Sequence, residues 1–259
     1  DPAHFINLDD DGATEAGMAL DALPPTHGEY EAAAAAAGRD LSHLGYLPYA
    51  LADGWQQLAK DFAYWRVDRA GVRVSDDPRH RAWFEKDAAA REQLILRDLG
   101  VLAHYVGDGS QPLHVTVHYN GWGPGPNPAG YANGRTTHAD FEGAFVRANI
   151  APEAVRGRMT PFHDCRCALD RRIAAYLLAT HTQVEPFYRL EKAGGFLNGD
   201  QRGVDFATDR LAAGASELRD LVVLAWRESA GVGVGYPQLT VNDVEAGRVD
   251  PFDSLFGRD

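Results

Sequence analysis

The chain has 259 residues, 45% of them hydrophobic, and a formal net charge of −12 at pH 7. This composition is typical of a globular protein. No apolar run approaches the roughly 20 residues of a membrane helix, so no transmembrane segment is predicted. The negative charge argues against capture of nucleic acid by a broad basic surface, although bound metal cations can supply positive charge locally.

The spacing of apolar residues predicts an all-α protein. Residues 1–35 are expected to be an irregular or lightly helical lead-in, and the tail from Gly231 is expected to lie over the surface. Helix-spaced apolar residues cover four long stretches, 41–67, 77–108, 161–192 and 199–229. No alternating strand pattern, internal repeat or low-complexity linker is present. The sequence therefore predicts a single domain of long packed helices over residues 1–259.

A glycine- and proline-rich segment, residues 119–135, interrupts these patterns. Loops of this length in compact domains are usually functional or mobile, so the segment is expected to be exposed and to serve the function. A further helix is predicted to start near Thr137.

The two cysteines, Cys165 and Cys167, are two residues apart. On the helix predicted there, they would point to different faces. No disulfide between them is therefore expected.

Two pairs of ligand-type residues carry the strongest chemical signal. His104 and Asp108 are four residues apart, and so are His138 and Glu142, which places each pair on one face of a helix. Between the pairs, a Gln-Pro-Leu turn ends the first helix and brings in His114 from a new direction. Imidazole and carboxylate together are ligands that zinc accepts. One such pair can arise by chance, but five residues in two linked clusters predict a multinuclear metal site in one cleft.

The segments His104–His114 and His138–Glu142 resemble the trinuclear-zinc superfamily of single-strand-specific nucleases and bacterial phospholipases C. In that family a helix supplies a histidine and, four residues on, an aspartate. A Gln-Pro-x-His turn and a second His-x3-Asp or His-x3-Glu pair supply further ligands. Ala3–Ile6 and Gly45–Tyr49 also resemble family motifs, and the resemblance spans roughly residues 3–230.

The resemblance implies zinc as the cofactor, with up to three ions. It assigns the ligands of the first two ions as His4, His104 and Asp108 for one, and His114, His138 and Glu142 for the other. Asp108 would also bridge the first zinc to a third, and it is the residue assigned a catalytic part. Neighbouring metal ions can share a water, lower its pKa and align it with a phosphorus atom.

Three residues are predicted to bind substrate. Phe5 follows the proposed ligand His4 and could stack on a base. Asn120 and Arg135 lie on the loop between the two ligand clusters, and a guanidinium is suited to phosphate. His118 could be a further ligand, but it is rather expected to orient a ligand or to line the cleft.

The function implied by the resemblance is that of a zinc-dependent phosphoric-ester hydrolase of the endonuclease type. Its substrates would be single-stranded RNA or DNA, together with the 3′-phosphate of nucleotides. A phospholipase C acting on phospholipid is the alternative, favoured by Glu142 in place of aspartate and by the resemblance of the segment Tyr46-Leu-Pro-Tyr49. An interpretation from another class is a non-catalytic metal-binding helical protein with a degenerate cluster. The resemblance further implies a secreted or periplasmic protein, and a monomer is expected.

The resemblance also implies ligands that lie upstream of His4. The family uses its own amino-terminal residue, a histidine shortly after it and a later aspartate. The chain opens with Asp1-Pro-Ala-His4, without these residues and without a visible signal peptide. An upstream segment of a few dozen residues is therefore expected to be missing.

Overall fold

The computed structural model describes residues 1–123 and 125–257, which are mostly helical, with 64% helix and 4% strand. The predicted all-α class is confirmed. Pro124, in the predicted loop, lies outside the described residues, as do the last two positions of the predicted domain. None of the described helices is both long enough and apolar enough to cross a membrane.

The α-helices, in chain order, are α1 (His27–Ala36), α2 (Leu41–Leu44), α3 (Leu47–Val74), α4 (Pro78–Ser110), α5 (Thr137–Ala139), α6 (Val146–Asn149), α7 (Pro152–Arg158), α8 (Leu169–His181), α9 (Val184–Lys192), α10 (Gln201–Glu228), α11 (Val241–Glu245) and α12 (Phe252–Phe256). Short 3₁₀ helices cover Pro2–His4, Leu20–Ala22 and Pro112–His114, and a π-helical segment, Asp140–Phe145, joins α5 to α6. The described strands form one antiparallel hairpin of β1 (Gly233–Val234) and β2 (Leu239–Thr240).

The helix predicted over 41–67 is broken at Gly45 and, as α3, continues to Val74. Gly45 has a left-handed φ of 76°, and a Cβ added there would lie 2.1 Å from the carbonyl oxygen of Phe5. Glycine is therefore required for this close approach. The backbone N–H of Leu47 donates to that same Phe5 carbonyl at 3.1 Å, which holds the amino-terminal segment against the start of α3.

The helix predicted over 161–192 is wrong in its first part, because α8 begins only at Leu169. Arg166 has a φ of 51°, in the left-handed region that a right-handed helix excludes. This bend brings Cys165 and Cys167 together, with Cα atoms 5.2 Å apart, and they form a disulfide. The expectation that the two cysteines would point apart is therefore wrong.

The contacts between Cα atoms divide the chain into two compact units. The first unit comprises Asp1–Ala52 and His104–Leu218 and contains every residue predicted to bind metal or substrate. The second unit comprises Asp53–Ala103 and the chain from Arg219 onward. The assignment of one domain to the whole chain stays a prediction.

The core of the first unit anchors the turns that carry ligand-type residues. Leu113 and Phe141 are buried and belong to one apolar cluster with Phe187 of α9. Leu113 precedes His114 and Phe141 precedes Glu142, so each polar side chain is adjacent to a side chain fixed in the core. Burial of a side chain of this size contributes about 1.5–3 kcal/mol, which favours a fixed position for each turn.

The core of the second unit lies between α3, the hairpin and α11. Its buried members are small or β-branched: Ala63, Val67, Ala70, Val234, Val241 and Val244. Gly71 of α3 allows the ring of Phe84 to approach closely, since a Cβ added there would lie 2.7 Å from that ring.

The loop of residues 119–135 has no helix among its described residues, but hydrogen bonds and apolar packing fix its position. Asn127 makes two hydrogen bonds, each of 2.8 Å, with the backbone of Tyr131. The side chains of Tyr131 and Trp122 pack against the core of the first unit. The expectation of an exposed loop is therefore wrong for these two aromatic residues.

Candidate metal centre

A first group of three ligand-type residues forms where the end of α4 meets the amino-terminal 3₁₀ helix. It consists of His4, His104 and Asp108 and is called the first ligand group. His4 Nδ1 lies 2.9 Å from Asp108 Oδ2 and 3.0 Å from His104 Nε2. His104 Nε2 lies 3.5 Å from Asp108 Oδ2. One helix face supplies two of the side chains, and a segment a hundred residues away supplies the third.

The second ligand group consists of His114, His138 and Glu142. His138 Nε2 lies 3.2 Å from His114 Nε2 and 2.7 Å from Glu142 Oε2. His114 Nε2 lies 3.4 Å from the same carboxylate oxygen. The structure thus brings together every residue predicted to bind the first two metal ions.

Glu142 does not lie on a regular α-helix. His138 is in α5, whereas Glu142 lies in the π-helical segment Asp140–Phe145. π-Helical segments are rare in proteins, and those that occur are often at functional sites. The wider turn still places both side chains on one side, while Phe141 and Phe145 face the core.

Backbone carbonyls orient two of the imidazoles. His114 Nδ1 lies 2.6 Å from the carbonyl oxygen of His4, and His138 Nδ1 lies 3.1 Å from that of Tyr119. A carbonyl can only accept, so each Nδ1 donates to it, and each Nε2 points towards the Glu142 carboxylate, where it can bind a metal ion once it has lost its proton. Metal-binding histidines usually have their second nitrogen held in this way.

Asp108 faces both ligand groups. Its Oδ2 belongs to the first group, and its Oδ1 lies 3.9 Å from His114 Nε2. The Asp108 side chain is only 10% exposed. One buried carboxylate thus connects the two groups.

The charges of these residues depend on one another. Hydrogen bonds from His114 and His138 hold the pKa of the Glu142 carboxyl well below its usual range. Burial disfavours the charged form of His114, but the hydrogen bond with Glu142 and the nearby Asp108 outweigh it and raise the pKa of the imidazole. Burial raises the pKa of the Asp108 carboxyl, against the opposing effect of His114 and His104. A bound cation would take the place of these shared protons.

The spacing of the donor atoms fits a small tetrahedral cation. Ligands about 2.0–2.1 Å from such an ion lie about 3.3 Å from one another. The separations within the two groups run from 2.7 to 3.5 Å, and in each group all three ligand atoms lie within 4.8 Å of one another. Each group could therefore form one face of a coordination tetrahedron.

Gln111 supports the second ligand group, a role that its sequence pattern did not indicate. Its side-chain carbonyl accepts from the backbone N–H of Leu113 at 2.6 Å and so closes the turn before His114. Its amide nitrogen lies 3.4 Å from Glu142 Oε2. A Gln-Pro dipeptide after a helix was the available signal, but it indicated only the turn.

A cavity of about 250 Å³ opens beside the second ligand group. It is lined by Phe5, Asn7, Ser42, His43, Leu113, His114, Tyr119 and His138. Phe5 therefore lines the same cavity as two of the candidate ligands, and its part in substrate binding stays a prediction. The presence of His43 was not predicted, because it has no spacing relation to any other ligand-type residue.

Asn120 and Arg135 lie on the same loop but differ in their surroundings. The Asn120 side chain accepts from the backbone N–H of His138 at 3.3 Å and donates to the Arg135 carbonyl at 2.8 Å. Arg135 is exposed and has no ion-pair partner in the described part of the chain. Arg135 and Tyr119 both line a cavity of about 410 Å³.

His118 belongs to neither ligand group. Its Nε2 lies 2.9 Å from Asp10 Oδ1, and its ring stacks on Trp122 with centroids 4.0 Å apart. The carbonyl of His118 accepts from the hydroxyl of buried Tyr188. His118 therefore holds the loop that carries Tyr119, whose carbonyl orients His138.

Comparisons of the chain with protein-family models, with curated proteins and with solved structures gave no match.

Proposed function

We propose that this protein is a zinc-dependent phosphodiesterase of the nuclease type that hydrolyses single-stranded RNA or DNA. The observation that carries the proposal is the position of Asp108. This one carboxylate has an oxygen towards each of two ligand groups whose donor spacing fits zinc. The resemblance of the ligand motifs to the trinuclear-zinc superfamily supports the same activity.

Each ligand group would hold one zinc ion, the first through His4, His104 and Asp108 and the second through His114, His138 and Glu142. When bound, the ions would supply Lewis acidity towards phosphoryl oxygens and make water a nucleophile at neutral pH. Three protein ligands for each ion leave a coordination position for water or substrate, which is typical of catalytic rather than structural zinc.

The residues of the chain would keep the donor atoms in place during the reaction. The carbonyls of His4 and Tyr119 hold the protons of His114 and His138 on Nδ1, so the Nε2 atoms stay available as ligands. The Gln111 amide donates towards the Glu142 carboxylate and limits its rotation. Catalysis depends on such preorganisation, because groups fixed before the reaction need no rearrangement during it.

Substrate would contact the site from two directions. The cavity beside Phe5 would accept a base, since an aromatic ring stacks on any base with little sequence preference. Arg135 would bind a phosphate, because an exposed guanidinium without an internal ion pair is free to form paired hydrogen bonds with phosphate oxygens. The negative net charge is compatible with this activity because two bound cations would reverse the local potential.

Phospholipase C activity is the second candidate, and the observation that favours it is Glu142. A glutamate in place of aspartate resembles the phospholipase branch of the superfamily. The same ligand groups would then act on a phospholipid, with the cavity at Phe5 accepting a different part of the substrate.

The experiment is a comparison of turnover on two substrates by the zinc-loaded chain. A single-stranded oligonucleotide and phosphatidylcholine are each incubated with the wild type and with His138→Ala. The proposal expects hydrolysis of the oligonucleotide that is lost in the variant. Hydrolysis of phosphatidylcholine alone would favour the second candidate. Activity on neither substrate, with zinc bound, would make the protein a non-catalytic metal-binding protein.

A further inference from the structure

The disulfide between Cys165 and Cys167 lies on the surface of the first unit. Both cysteines are exposed, in the non-helical stretch between α7 and α8. A disulfide that spans one intervening residue closes a very short loop and removes little conformational freedom from the unfolded chain. Its position thus offers access to solvent and little constraint on the fold.

The chain on both sides of the disulfide is fixed to the protein. Before it, the carbonyl of His163 accepts from Arg172 at 2.9 Å, and the Arg172 guanidinium is held by Glu217 at 2.6 and 2.7 Å. After it, α8 begins at Leu169. The Cys-Arg-Cys turn is therefore presented from a rigid base.

The two sulfur atoms are not equivalent. The backbone N–H of Cys167 donates to Cys165 Sγ at 3.3 Å. This donor would stabilise negative charge on Cys165 once the disulfide opens. Arg166 lies between the two cysteines in the sequence and adds a positive charge to this segment. Cys165 is therefore the better leaving group, and an incoming thiolate should attack Cys167.

From this geometry we infer that Cys165–Cys167 is a thiol–disulfide exchange site for small-molecule or protein thiols. The thiolate of the co-reactant attacks Cys167 Sγ and forms a mixed disulfide. The Cys165–Cys167 bond breaks, and its electron pair stays on Cys165 as a thiolate. A second thiolate then attacks the co-reactant's sulfur in the mixed disulfide and releases Cys167. In total, two thiols are oxidised to one disulfide while the protein gains two electrons and, at neutral pH, up to two protons.

This activity is separate from the proposed hydrolysis, because no candidate metal ligand takes part in it. The reduced dithiol could in turn reduce the disulfide of another molecule, which regenerates Cys165–Cys167. The left-handed φ of Arg166 is what allows one intervening residue to bring the two sulfurs together.

The test maps the mixed disulfide on the whole 259-residue chain. The oxidised protein is mixed with reduced glutathione, quenched with iodoacetamide and digested for tandem mass spectrometry. The inference expects glutathione on Cys167 and the alkyl group on Cys165. Glutathione found on Cys165, or a disulfide left intact while a free Cys-Arg-Cys peptide is reduced, would overturn it.

A rate measurement with matched variants gives a second test. The wild type should accelerate the reduction of a fluorogenic peptide disulfide by glutathione roughly tenfold over Cys165→Ser/Cys167→Ser. Arg166→Gly should lower the rate of this reduction, whereas Arg166→Lys, which keeps the positive charge, should retain most of the wild-type rate. Equal rates for wild type and double variant would contradict the inference. If the double variant does not fold, the adduct map of the wild type decides.

Discussion

Asp108 and His114 approach each other to 3.9 Å, between Oδ1 and Nε2, although they are carried by different turns and are assigned to different ligand groups. The other oxygen of Asp108 lies 2.9 Å from His4 Nδ1, so this carboxylate lies between the two groups. A cation bound at either group would therefore lie beside this carboxylate.

Removal of a ligand from the second group should abolish hydrolysis without unfolding the protein. His138→Ala or Glu142→Ala leaves two donors, and we expect loss of one zinc and a fall in phosphodiester hydrolysis by orders of magnitude. Helix content measured by circular dichroism should change little, because the helices are stabilised by their apolar faces. Asp140→Ala is the matched control, since Asp140 is exposed and outside both groups. Full activity of a His138→Ala protein that lacks this zinc would contradict the mechanism.

Asn120 should act by positioning His138 rather than by binding substrate. Its amide oxygen accepts a hydrogen bond from the backbone N–H of His138 at 3.3 Å, and its amide nitrogen donates one to the carbonyl of Arg135 at 2.8 Å. Asn120→Ala is expected to weaken zinc binding at the second group by roughly 10–100-fold, measured by competition with a chelator. Asn120→Asp keeps the oxygen that accepts from His138, so it should weaken zinc binding less than Asn120→Ala does. An unchanged zinc affinity together with a raised KM would instead assign Asn120 to the substrate.

Arg135 should contribute to substrate binding and little to the chemical step. Its side chain is exposed, and we expect Arg135→Ala to raise KM roughly fivefold at low salt, with kcat nearly unchanged. The difference from wild type should shrink as salt concentration rises. Arg156→Ala is the control, because Arg156 is also an exposed arginine but lies on α7. Equal effects of the two variants would show that Arg135 acts only through net charge.

A buried carboxyl in the second unit should make stability depend on pH. Asp68 is fully buried, and Arg91 Nε lies 3.0 Å from it and 2.8 Å from Asp87. One guanidinium thus donates to two carboxyl groups. Asp68 Oδ1 has no hydrogen-bond partner in the part of the chain that the structure describes. Burial, together with the charge of Asp87, raises the pKa of Asp68 to about 8.

The sign of the effect follows from this raised pKa. Asp68 favours the folded state while it is protonated, and this contribution is lost as pH rises from its usual pKa of 3.8 towards about 8. The free energy of unfolding in urea should fall by on the order of 2 kcal/mol between pH 5 and 7. Asp68→Asn should flatten this dependence, whereas Asp76→Asn, at an exposed position, should not. A slope that is the same in all three proteins would contradict the assignment.

Local geometry explains what the sequence could predict about the candidate site. The spacing of His104 and Asp108 indicates a shared face because side-chain direction in a helix repeats every 3.6 residues. The apolar spacing likewise predicted α4 and α10 to within a few residues at each end. Both predictions depend only on contacts between residues close in sequence.

The features that the sequence did not predict depend on contacts between distant segments or on single backbone angles. The approach of His4 to His104 joins positions 100 residues apart, and only the family resemblance suggested it. The break at Gly45 depends on the backbone of Phe5, which no periodic pattern encodes. The bend at Arg166 reverses the direction of two cysteines that a helix would have separated.

The most direct test of the central claim is the zinc content of the chain, measured by inductively coupled plasma mass spectrometry together with oligonucleotide hydrolysis. The protein is stripped with a chelator, reloaded with zinc, and passed through a desalting column before both assays. The proposal predicts at least two zinc ions per chain, loss of hydrolysis on stripping and its return on reloading. A chain that retains no zinc after reloading, or that hydrolyses the oligonucleotide equally well when stripped, would contradict it.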